Sequence, residues 1–377
     1  MQRMVAPDLS SIRDRIEAVD RQIIALLAER LNIVAEVAAA KLATAAPFRD
    51  REREELLLTR LRELAVSAGI DAHQIERLYR VVMDMSVAFQ EATVRSREDA
   101  PLRIAYQGVE GSYSHLAAQR RYAGRAGGAL LTGHDTFRAA AEAVHTGAAD
   151  LALLPIENTT AGSINETYDL LAAGKLVITG EVVSSIEHCL LALPGASLDE
   201  LLVVFSHPQA LAQCHDFFAQ HPHMTPRADV DTAGSARKVA EAGIRAHAAI
   251  ASAAAAKRYG LHILATGIQS ASGNATRFVE IGLRPAPVAE NVVAKTSLVL
   301  SLADRPGALG EILMRFAARN LSLTKLESRP IPDAPFTYRF YADVLGHAAS
   351  ESFHAALDEI RPLTTELRVL GTYPAAT

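Results

Sequence analysis

The sequence predicts a multidomain protein with an all-α helical domain, a two-lobed α/β domain and an α+β domain of ferredoxin-like order. Near the N-terminus, apolar residues recur at helical spacing. In the middle, short apolar strands alternate with helical stretches, and the last segment has the order βαββαβ. A length of 377 residues suits two or three domains. We expect these domains at residues 1–95, 103–283 and 295–375.

The first domain is expected to begin with one long helix from Leu9 to about Lys41, because no proline or glycine interrupts its apolar pattern. At about 1.5 Å per residue this helix is roughly 50 Å long, which is more than a small domain covers by itself. Its apolar seam therefore predicts an intertwined dimer. The seam consists of Ile12, Ile16, Val19, Ile23, Leu26, Ile33 and Val37.

Two shorter helices are expected to complete this domain, from Asp50 to Ala68 and from about Ala72 to Thr93. The polar stretch Arg95–Pro101 is interpreted as a linker. Beyond it, the alternation of strands and helices predicts a doubly wound α/β domain whose two lobes are joined near Ile178–Leu193. Its expected strands are Leu102–Tyr106, Ala149–Pro155, Leu201–Phe205, Ala248–Ala251 and Arg277–Leu283.

The last domain follows a second break at Pro285–Pro287. Its alternating pattern predicts the βαββαβ order of a ferredoxin-like domain. The expected elements are strand Thr296–Leu302, helix Leu309–Arg319, strand Leu321–Ser328, strand Phe336–Val344, helix Glu351–Ile360 and strand Glu366–Leu370.

Composition excludes several classes of partner and site. A net charge of −5 gives no electrostatic reason to expect nucleic acid or a membrane as a partner. The first residues lack the apolar core of a signal peptide, so a cytoplasmic location is expected. Cys189 and Cys214 have no CxxC spacing and are expected to be reduced, without a disulfide or a zinc site.

Polar residues at helical spacing suggest a site for a small dianion in the first domain. Arg30 and Lys41 are eleven residues apart, three turns within about 20°, and therefore lie on one face. Arg13 lies about 26 Å along the axis from Arg30, so if it is functional it must serve the site of a partner protomer. Ser86 and Gln90 share a face at i, i+4. Taken singly, each arginine is equally well read as a solvated surface residue. The full candidate set is Arg13, Arg30, Lys41, Asp50, Arg53, Glu54, Ser86 and Gln90.

This set resembles, position by position, the active site of the all-helical bacterial chorismate mutases. The resemblance implies that the partner's Arg13, Arg30 and Arg53 bind carboxylates and that Ser86 helps to bind substrate. It also implies that Lys41 and Gln90 contact the breaking ether oxygen and that Glu54, with Asp50, holds the ring hydroxyl. The rearrangement is pericyclic, so it needs orientation and charge stabilisation but no metal or cofactor.

In the α/β domain, polar loops follow three of the expected strands. They are Gly108–His115, Pro155–Thr159 and Ser206–Gln209. In an open α/β sheet such loops converge at the carboxyl ends of strands, where helix N-termini favour anions. Each Ser or Asn there is also a common helix cap, so no single loop decides the function. The first loop is neither GxGxxG nor a Walker motif, which argues against a nucleotide.

These loops and the segment Asn274–Phe278 together resemble the signatures of prephenate dehydratases over residues 103–283. The resemblance implies that Thr276 assists the leaving hydroxyl as a proton donor. His115 and His207 are each open to a chemical or a structural interpretation. The candidate substrate-binding residues are Gly111, Ser112, Tyr113, Ser114, Glu157, Asn158, Thr159, Ser206, His207, Gln209, Arg277 and Phe278.

Two motifs of the last domain, Arg305–Leu309 and Leu326–Pro330, resemble the phenylalanine-binding motifs of ACT domains. A glycine lets the backbone approach a ligand closely, and amides at a helix start suit its carboxylate. In the alternative reading, the glycine only shapes a turn and Glu327 forms a local ion pair with Arg329. The candidate allosteric residues are Gly307, Ala308, Leu309, Glu327, Ser328, Arg329 and Pro330.

Taken together, the resemblances imply an enzyme of phenylalanine biosynthesis. It would rearrange chorismate to prephenate, convert prephenate to phenylpyruvate and respond to phenylalanine as a feedback inhibitor. We expect a homodimer or higher homo-oligomer without cofactor or metal. Two alternatives remain: a non-enzymatic two-lobed binding protein with a helical dimerisation arm, and an enzyme with only one working activity.

Overall fold

The computed structural model describes residues 9–44, 51–125, 127–288, 292–302, 305–331 and 334–376. The chain divides into two compact units, Met1–Ala100 and Pro101–Thr377. Within the described ranges, no helix has both the length and the apolar character needed to cross a membrane. The two cysteines, Cys189 and Cys214, are buried free thiols, in agreement with the expected reduced state.

The described part of the first unit is helical: α1 (Leu9–Thr44), α2 (Arg51–Ser67) and α3 (Ala72–Asp99). The turn between α2 and α3 contains Gly69, whose φ of 74° suits glycine. Arg62 of α2 and Arg80 of α3 both donate to Glu76, which fixes the α2–α3 pair. The predicted linker is partly wrong, because α3 continues through Asp99 and the chain leaves the helix only before Pro101.

The apolar seam predicted on α1 is largely exposed within this unit. Ile16, Val19, Ile23, Leu26 and Ile33 each keep at least half of their surface accessible. Isolated exposed apolar residues are ordinary, but a continuous seam along a 36-residue helix is not. A continuous exposed apolar seam is the kind of surface that marks an interaction site.

The second unit begins with a lobe of alternating strands and helices. Its elements are β1 (Leu102–Gln107), α4 (Tyr113–Tyr122), β2 (Ala129–His134), α5 (Phe137–His145), β3 (Leu151–Asn158), β4 (Gly162–Ser163), α6 (Asn165–Ala173) and β5 (Val177–Ser185). The segment Pro155–Asn158, predicted as a loop, is therefore the end of strand β3.

The chain then enters the second lobe through residues 186–188 and returns through 266–274 to the first lobe. The elements are β6 (Cys189–Ala192), a 3₁₀ turn (Leu198–Glu200), β7 (Val203–Ser206), α7 (Pro208–Gln213), α8 (His215–Gln220), β8 (Thr225–Ala228), α9 (Thr232–Ala242), β9 (His247–Ala251), α10 (Ala253–Tyr259), β10 (His262–Ala265) and the returning β11 (Ala275–Gly282).

Each lobe contains a mixed sheet. The first pairs strands in the order β2-β1-β3-β11-β5, with β4 on β3, and the second in the order β10-β6-β9-β7-β8. The returning strand β11 runs antiparallel to both β3 and β5. Its register places Thr276 opposite Asn158 and Arg277 opposite Glu157.

The C-terminal part has the order strand, helix, strand, strand, helix, strand. Its elements are β12 (Ala294–Leu302), α11 (Ala308–Ala318), β13 (Leu323–Ile331), β14 (Ala334–Leu345), α12 (Glu351–Ile360), a 3₁₀ turn (Arg361–Leu363) and β15 (Thr364–Pro374). These strands pair antiparallel in the order β13-β14-β12-β15.

The C-terminal sheet packs directly on the first lobe. Val299, Tyr341, Leu370 and Tyr373 belong to the same buried cluster as the core of the first sheet. At Gly371 the approach is so close that a Cβ would lie 2.0 Å from the carbonyl oxygen of Ile178. The two domains of this unit therefore share one apolar core, which gives the C-terminal domain a rigid contact with the lobe beneath it.

Candidate active sites

In the helical unit, the structure brings two of the predicted residues together. Arg30 of α1 donates through Nη1 to the hydroxyl of Ser86 on α3. Ser86 is buried, and its hydroxyl donates to the carbonyl oxygen of Val82 at 2.7 Å. A guanidinium at the α1–α3 contact is thus oriented by a fixed hydroxyl, which suits recognition of a carboxylate.

The other predicted residues of this unit are only partly placed. Arg13 lies in the first turns of α1, while Arg53 and Glu54 lie in the first turn of α2. Lys41 and Gln90 lie in α1 and α3, but their side chains are outside the described residues, and so is the whole of Asp50. Their roles stay predictions from the resemblance.

In the second unit, a cavity of about 560 Å³ lies between the two lobes. A volume of this size suits a small-molecule ligand. Eight of the predicted residues line it: Ser112, Tyr113, Ser114, Asn158, His207, Gln209, Thr276 and Phe278.

The first turns of five helices, α4, α5, α6, α7 and α9, also line this cavity. Four of these starts are capped by a side chain, since Ser112, Thr136, His207 and Asp231 accept hydrogen bonds from backbone N–H groups of their helices. Among the described residues that line the cavity, none is arginine or lysine, and the carboxylates of Asp135, Glu166 and Asp231 are present. An anionic ligand there would therefore depend on helix N-termini and their amides.

The side chain of Asn158 fixes the hydroxyl of Thr276. The backbone N–H groups of Thr160 and Ala161 both donate to Asn158 Oδ1, at 3.0 and 2.9 Å, which defines the orientation of the amide. Asn158 Nδ2 consequently donates to Thr276 Oγ1 at 2.9 Å. Because Thr276 accepts this hydrogen bond, its own hydroxyl proton stays available for a ligand in the cavity.

Among the residues of this cavity that sequence reasoning missed, Gln213 and His188 are hydrogen-bonded to each other. Gln213 Nε2 donates to Asn158 Oδ1 at 3.2 Å, and Gln213 Oε1 lies 2.8 Å from His188 Nε2. Neither residue belongs to a motif that was singled out. Gln213 lies one turn beyond Gln209 on the same short helix, so the i+4 spacing was the available signal.

Arg277 and Glu157 are not brought to the cavity. Neighbouring residues of a strand point to opposite faces, so Arg277 points away from the face that carries Thr276. It forms ion pairs with Glu157, Glu181 and Asp343 at 3.2, 3.0 and 2.8 Å. Burial alone lowers the pKa of Arg277, but the charge of Asp343, together with Tyr373 and Glu181, outweighs burial and holds that pKa above its ordinary value.

Three further predicted residues serve the framework in this structure. Ser206 is fully buried, and its hydroxyl donates to the carbonyl oxygen of Ile250 at 2.6 Å. Thr159 donates to the carbonyl oxygen of Gly273 and accepts from the N–H of Ala275, which ties β3 to β11. A Cβ on Gly111 would lie 3.0 Å from Ala255 Cα, so glycine allows the lobes to approach.

Both histidines of the loops support local backbone structure. His207 Nδ1 accepts from the N–H of Gln209 at 3.2 Å, and His115 Nδ1 accepts from the N–H of Gly111 at 3.1 Å. Burial lowers the pKa of each ring, which keeps both neutral as acceptors. His207 still lines the cavity, whereas His115 lies outside it.

The motif residues of the C-terminal domain divide between two faces of β13. Glu327 accepts from the hydroxyl of Ser163 at 2.5 Å, and Arg329 donates to Asp169 at 2.8 Å. Ser328 and Pro330 are exposed on the other face. Glu327 and Arg329 thus contact the first lobe instead of each other, and Ser163 also lines the cavity.

The other motif of this domain, Arg305–Leu309, lies at the start of α11. Gly307 is the residue before the helix and has a φ of 81°, which favours glycine. Ala308 is buried and Leu309 half-buried behind it, while Arg305 forms an ion pair with Glu311.

Comparisons with known proteins decide the family. Family models match at residues 12–91 (chorismate mutase type II), 104–286 (prephenate dehydratase) and 296–361 (ACT domain). A bifunctional chorismate mutase/prephenate dehydratase of Enterobacter agglomerans is 40% identical, covering 97% of this chain and 96% of that protein. The chain belongs to the bifunctional chorismate mutase/prephenate dehydratase family.

Two solved structures resemble the dehydratase and ACT part of this family member. Prephenate dehydratase from Arthrobacter aurescens, in complex with L-Phe, has a TM-score of 0.66 and 32% identity, and covers 73% of this chain and 90% of that one. The protein GqqA, described as a quorum quenching acylase, has a TM-score of 0.65 and 35% identity, and covers 72% of this chain and 98% of that one.

We predict that Arg277→Ala lowers the free energy of unfolding of the dehydratase–ACT unit by about 3 kcal/mol, because buried carboxylates lose a counter-ion. Glu181, whose side chain is fully buried, would keep only Lys295 as a charged partner. Denaturant unfolding of the full chain measures the change. Arg258→Ala, which removes the exposed pair with Glu110, is the matched control and should change stability only slightly. Unchanged stability with a raised KM would instead assign Arg277 to substrate binding.

Proposed function

We propose that this protein catalyses two consecutive steps of phenylalanine biosynthesis, from chorismate to prephenate and from prephenate to phenylpyruvate, under feedback inhibition by phenylalanine. The helical domain is assigned to the first reaction, the two-lobed domain to the second and the ACT domain to inhibition, within the boundaries 1–95, 103–283 and 295–375. The observation that carries the proposal is the hydroxyl of Thr276, which faces the cavity with its proton unused by Asn158. A cytoplasmic location is part of the proposal and is supported by the two free thiols.

The proposed mutase site holds a flexible dianion in its reactive conformation. Arg30, oriented by Ser86, is proposed to bind one carboxylate, with Arg53 and the partner's Arg13 binding charge elsewhere on the substrate. Lys41 and Gln90 are proposed to stabilise the charge that develops on the ether oxygen. Glu54 and Asp50 would hold the ring hydroxyl. Orientation and electrostatics suffice because the bond rearrangement is concerted.

A homodimer is proposed because the apolar seam of α1 stays exposed within one chain. A seam with heptad-like spacing is most simply buried by packing against the same seam of a second copy of the chain. Arg13 and Arg30 lie about 26 Å apart along one helix, so the two side chains of one chain cannot bind the same small ligand. Such a dimer would instead supply Arg13 of one protomer to the site of Arg30 in the other. One proposal therefore explains both the exposed surface and the isolated arginine.

Complementation between two inactive variants tests this arrangement. Arg13→Ala and Lys41→Ala should each abolish mutase turnover while leaving dehydration of supplied prephenate intact. Mixed dimers of the two, purified through a different tag on each chain, should regain about half of the wild-type mutase activity, because one of their two sites has every group. Mutase turnover in Lys41→Ala alone would reject the mutase assignment, and inactive mixed dimers would reject the shared site.

The proposed dehydratase step is a concerted or stepwise loss of carbon dioxide and water from prephenate. The bond to the ring carboxylate breaks, and its electrons complete the aromatic ring as the C–O bond of the leaving hydroxyl breaks. Thr276 would donate its proton to that hydroxyl, which leaves as water, and the threonine oxygen would take a proton back from solvent. The helix N-termini of the cavity would hold the two carboxylates of the substrate.

Two substitutions of Thr276 separate its hydroxyl from its shape. Thr276→Val keeps the volume and removes the donor, so kcat for prephenate should fall by at least about 100-fold. Thr276→Ser keeps the donor and should retain most of the activity. Phenylpyruvate formation is followed directly, with mutase turnover of the same samples as the folding control. Near-normal turnover of prephenate in Thr276→Val would show that Thr276 is not the proton donor.

Phenylalanine is proposed to bind at the start of α11 and along β13. The supporting facts are the φ of 81° at Gly307 and the intact second motif on β13. A route to the catalytic cavity is available through Glu327, which accepts from Ser163 in the cavity wall. Inhibition requires that phenylalanine binds the less active state more tightly.

Titration calorimetry and dehydratase assays on the same samples test the sensor. The wild type should bind phenylalanine and lose dehydratase activity over the same concentration range. Gly307→Val should weaken both effects while leaving basal activity unchanged, because valine disfavours a φ of 81°. Gly310→Ala, an exposed helix position with no atom within 4 Å of the added Cβ, is the matched control. If the wild type does not bind phenylalanine, the proposed sensor role of this domain is wrong and its role is structural.

A further inference from the structure

The buried ring of His188 connects the two lobes beside the cavity. It lies in residues 186–188, the first crossing between the lobes, and is only 2% exposed. Its Nδ1 is 2.8 Å from the hydroxyl of Tyr113 in the first lobe, and its Nε2 is 2.8 Å from Gln213 Oε1 in the second. Both ring nitrogens are therefore engaged, one with each lobe.

The backbone of His188 is fixed by the second crossing. Its N–H donates to Gln269 Oε1 at 3.0 Å, and its carbonyl oxygen accepts from the N–H of Ile268 at 3.2 Å. Both partners belong to residues 266–274, which return the chain to the first lobe. His188 thus lies where the two interlobe segments, residues 186–188 and 266–274, contact each other, and both segments fix its position.

The hydrogen bonds around Asn158 determine which nitrogen of His188 carries the proton. Since Asn158 Oδ1 faces only donors, the group of Gln213 that approaches it must be Nε2. Gln213 Oε1 then faces His188, and an amide oxygen accepts only. His188 Nε2 therefore donates, and Nδ1 accepts from Tyr113 in the neutral ring.

The environment favours that neutral tautomer. Burial lowers the pKa of His188, against a smaller opposing effect of the hydrogen bond with Gln213. The Tyr113 hydroxyl also donates to the carbonyl oxygen of Glu187 at 2.7 Å, so its single proton is shared between that oxygen and Nδ1 when the ring is neutral. In the contact between the two residues, His188 Nε2 is therefore the donor and Gln213 Oε1 the acceptor.

We infer that His188 is a positioning residue for the dehydratase reaction, which acts through Gln213 and Asn158 on the hydroxyl of Thr276. The inference rests on the proposed function of Thr276. His188 holds the amide of Gln213 so that Nε2 donates to Asn158, and Asn158 in turn donates to Thr276 Oγ1. Without the ring, Gln213 Oε1 loses its 2.8 Å contact with His188 and keeps the longer one with Asn274 Nδ2 at 3.3 Å. The amide that donates to Asn158 and Thr160 is then less firmly oriented, and so is the hydroxyl of Thr276.

Two amide substitutions separate the two ring nitrogens. The side-chain amide of His188→Asn reaches the position of Nδ1 and leaves Gln213 without its donor, so kcat for prephenate should fall by up to about 100-fold with little change in KM. His188→Gln places an N–H near the position of Nε2 and should keep activity within a few fold of the wild type. An inactive His188→Gln that melts like the wild type would overturn the inference, because it would mean that the ring itself transfers a proton.

A double-mutant cycle with Gln213→Ala gives a result that a purely structural role does not produce. If His188 acts through Gln213, adding His188→Asn to Gln213→Ala should leave kcat unchanged, since the path is already broken. Multiplied losses would overturn the inference. Mutase turnover and thermal unfolding of each variant identify failures of folding. Thr276→Val in the same assays separates the two claims: if it is inactive while His188→Asn is fully active, only the role of His188 fails.

Discussion

The pairing of β3 with β11 is the constraint on which the dehydratase unit depends. In this antiparallel pair, Asn158 lies opposite Thr276 and Glu157 opposite Arg277. The first pair faces the cavity and the second faces away from it, because successive residues of a strand alternate between faces. A single step along the ladder thus separates the proposed proton donor from the buried ion pairs.

A bulge next to this position completes the cavity wall. The register shifts between Arg277 and Phe278, so that Phe278 lies opposite Pro155 and Ile156 is left over. With one residue added, Pro155 and Asn158 both line the cavity although they are three positions apart. Such an irregularity also makes the register specific, since a slip of one residue would turn Arg277 toward the cavity and Thr276 toward the ion pairs.

Much of this architecture was predictable from the sequence, and the errors have physical causes. The long helix α1 was predictable because its apolar pattern is long and uninterrupted. The segment Asn274–Phe278 was predictable because it matched a known motif. The face of Arg277 was not, since the expected strand began at Arg277, whereas β11 begins at Ala275 and its alternation turns Arg277 away from the face of Thr276. Gln213 and His188 were missed because their importance comes from contacts between lobes that no local pattern encodes.

The absence of a cationic side chain among the described residues of the cavity wall explains how the site serves an elimination. A fixed arginine paired with the ring carboxylate would stabilise the ground state more than the transition state, because that carboxylate loses its charge as it becomes carbon dioxide. Helix N-termini supply a weaker, distributed positive field that favours the dianion without a strong pairing to the group that departs as carbon dioxide. The guanidinium of Arg277, next to Thr276 in the sequence, is instead committed to Glu181 and Asp343 on the other side of the strand. In this arrangement the strong charges hold the strand against the C-terminal domain, and the neutral hydrogen bonds on its other face orient the hydroxyl of Thr276.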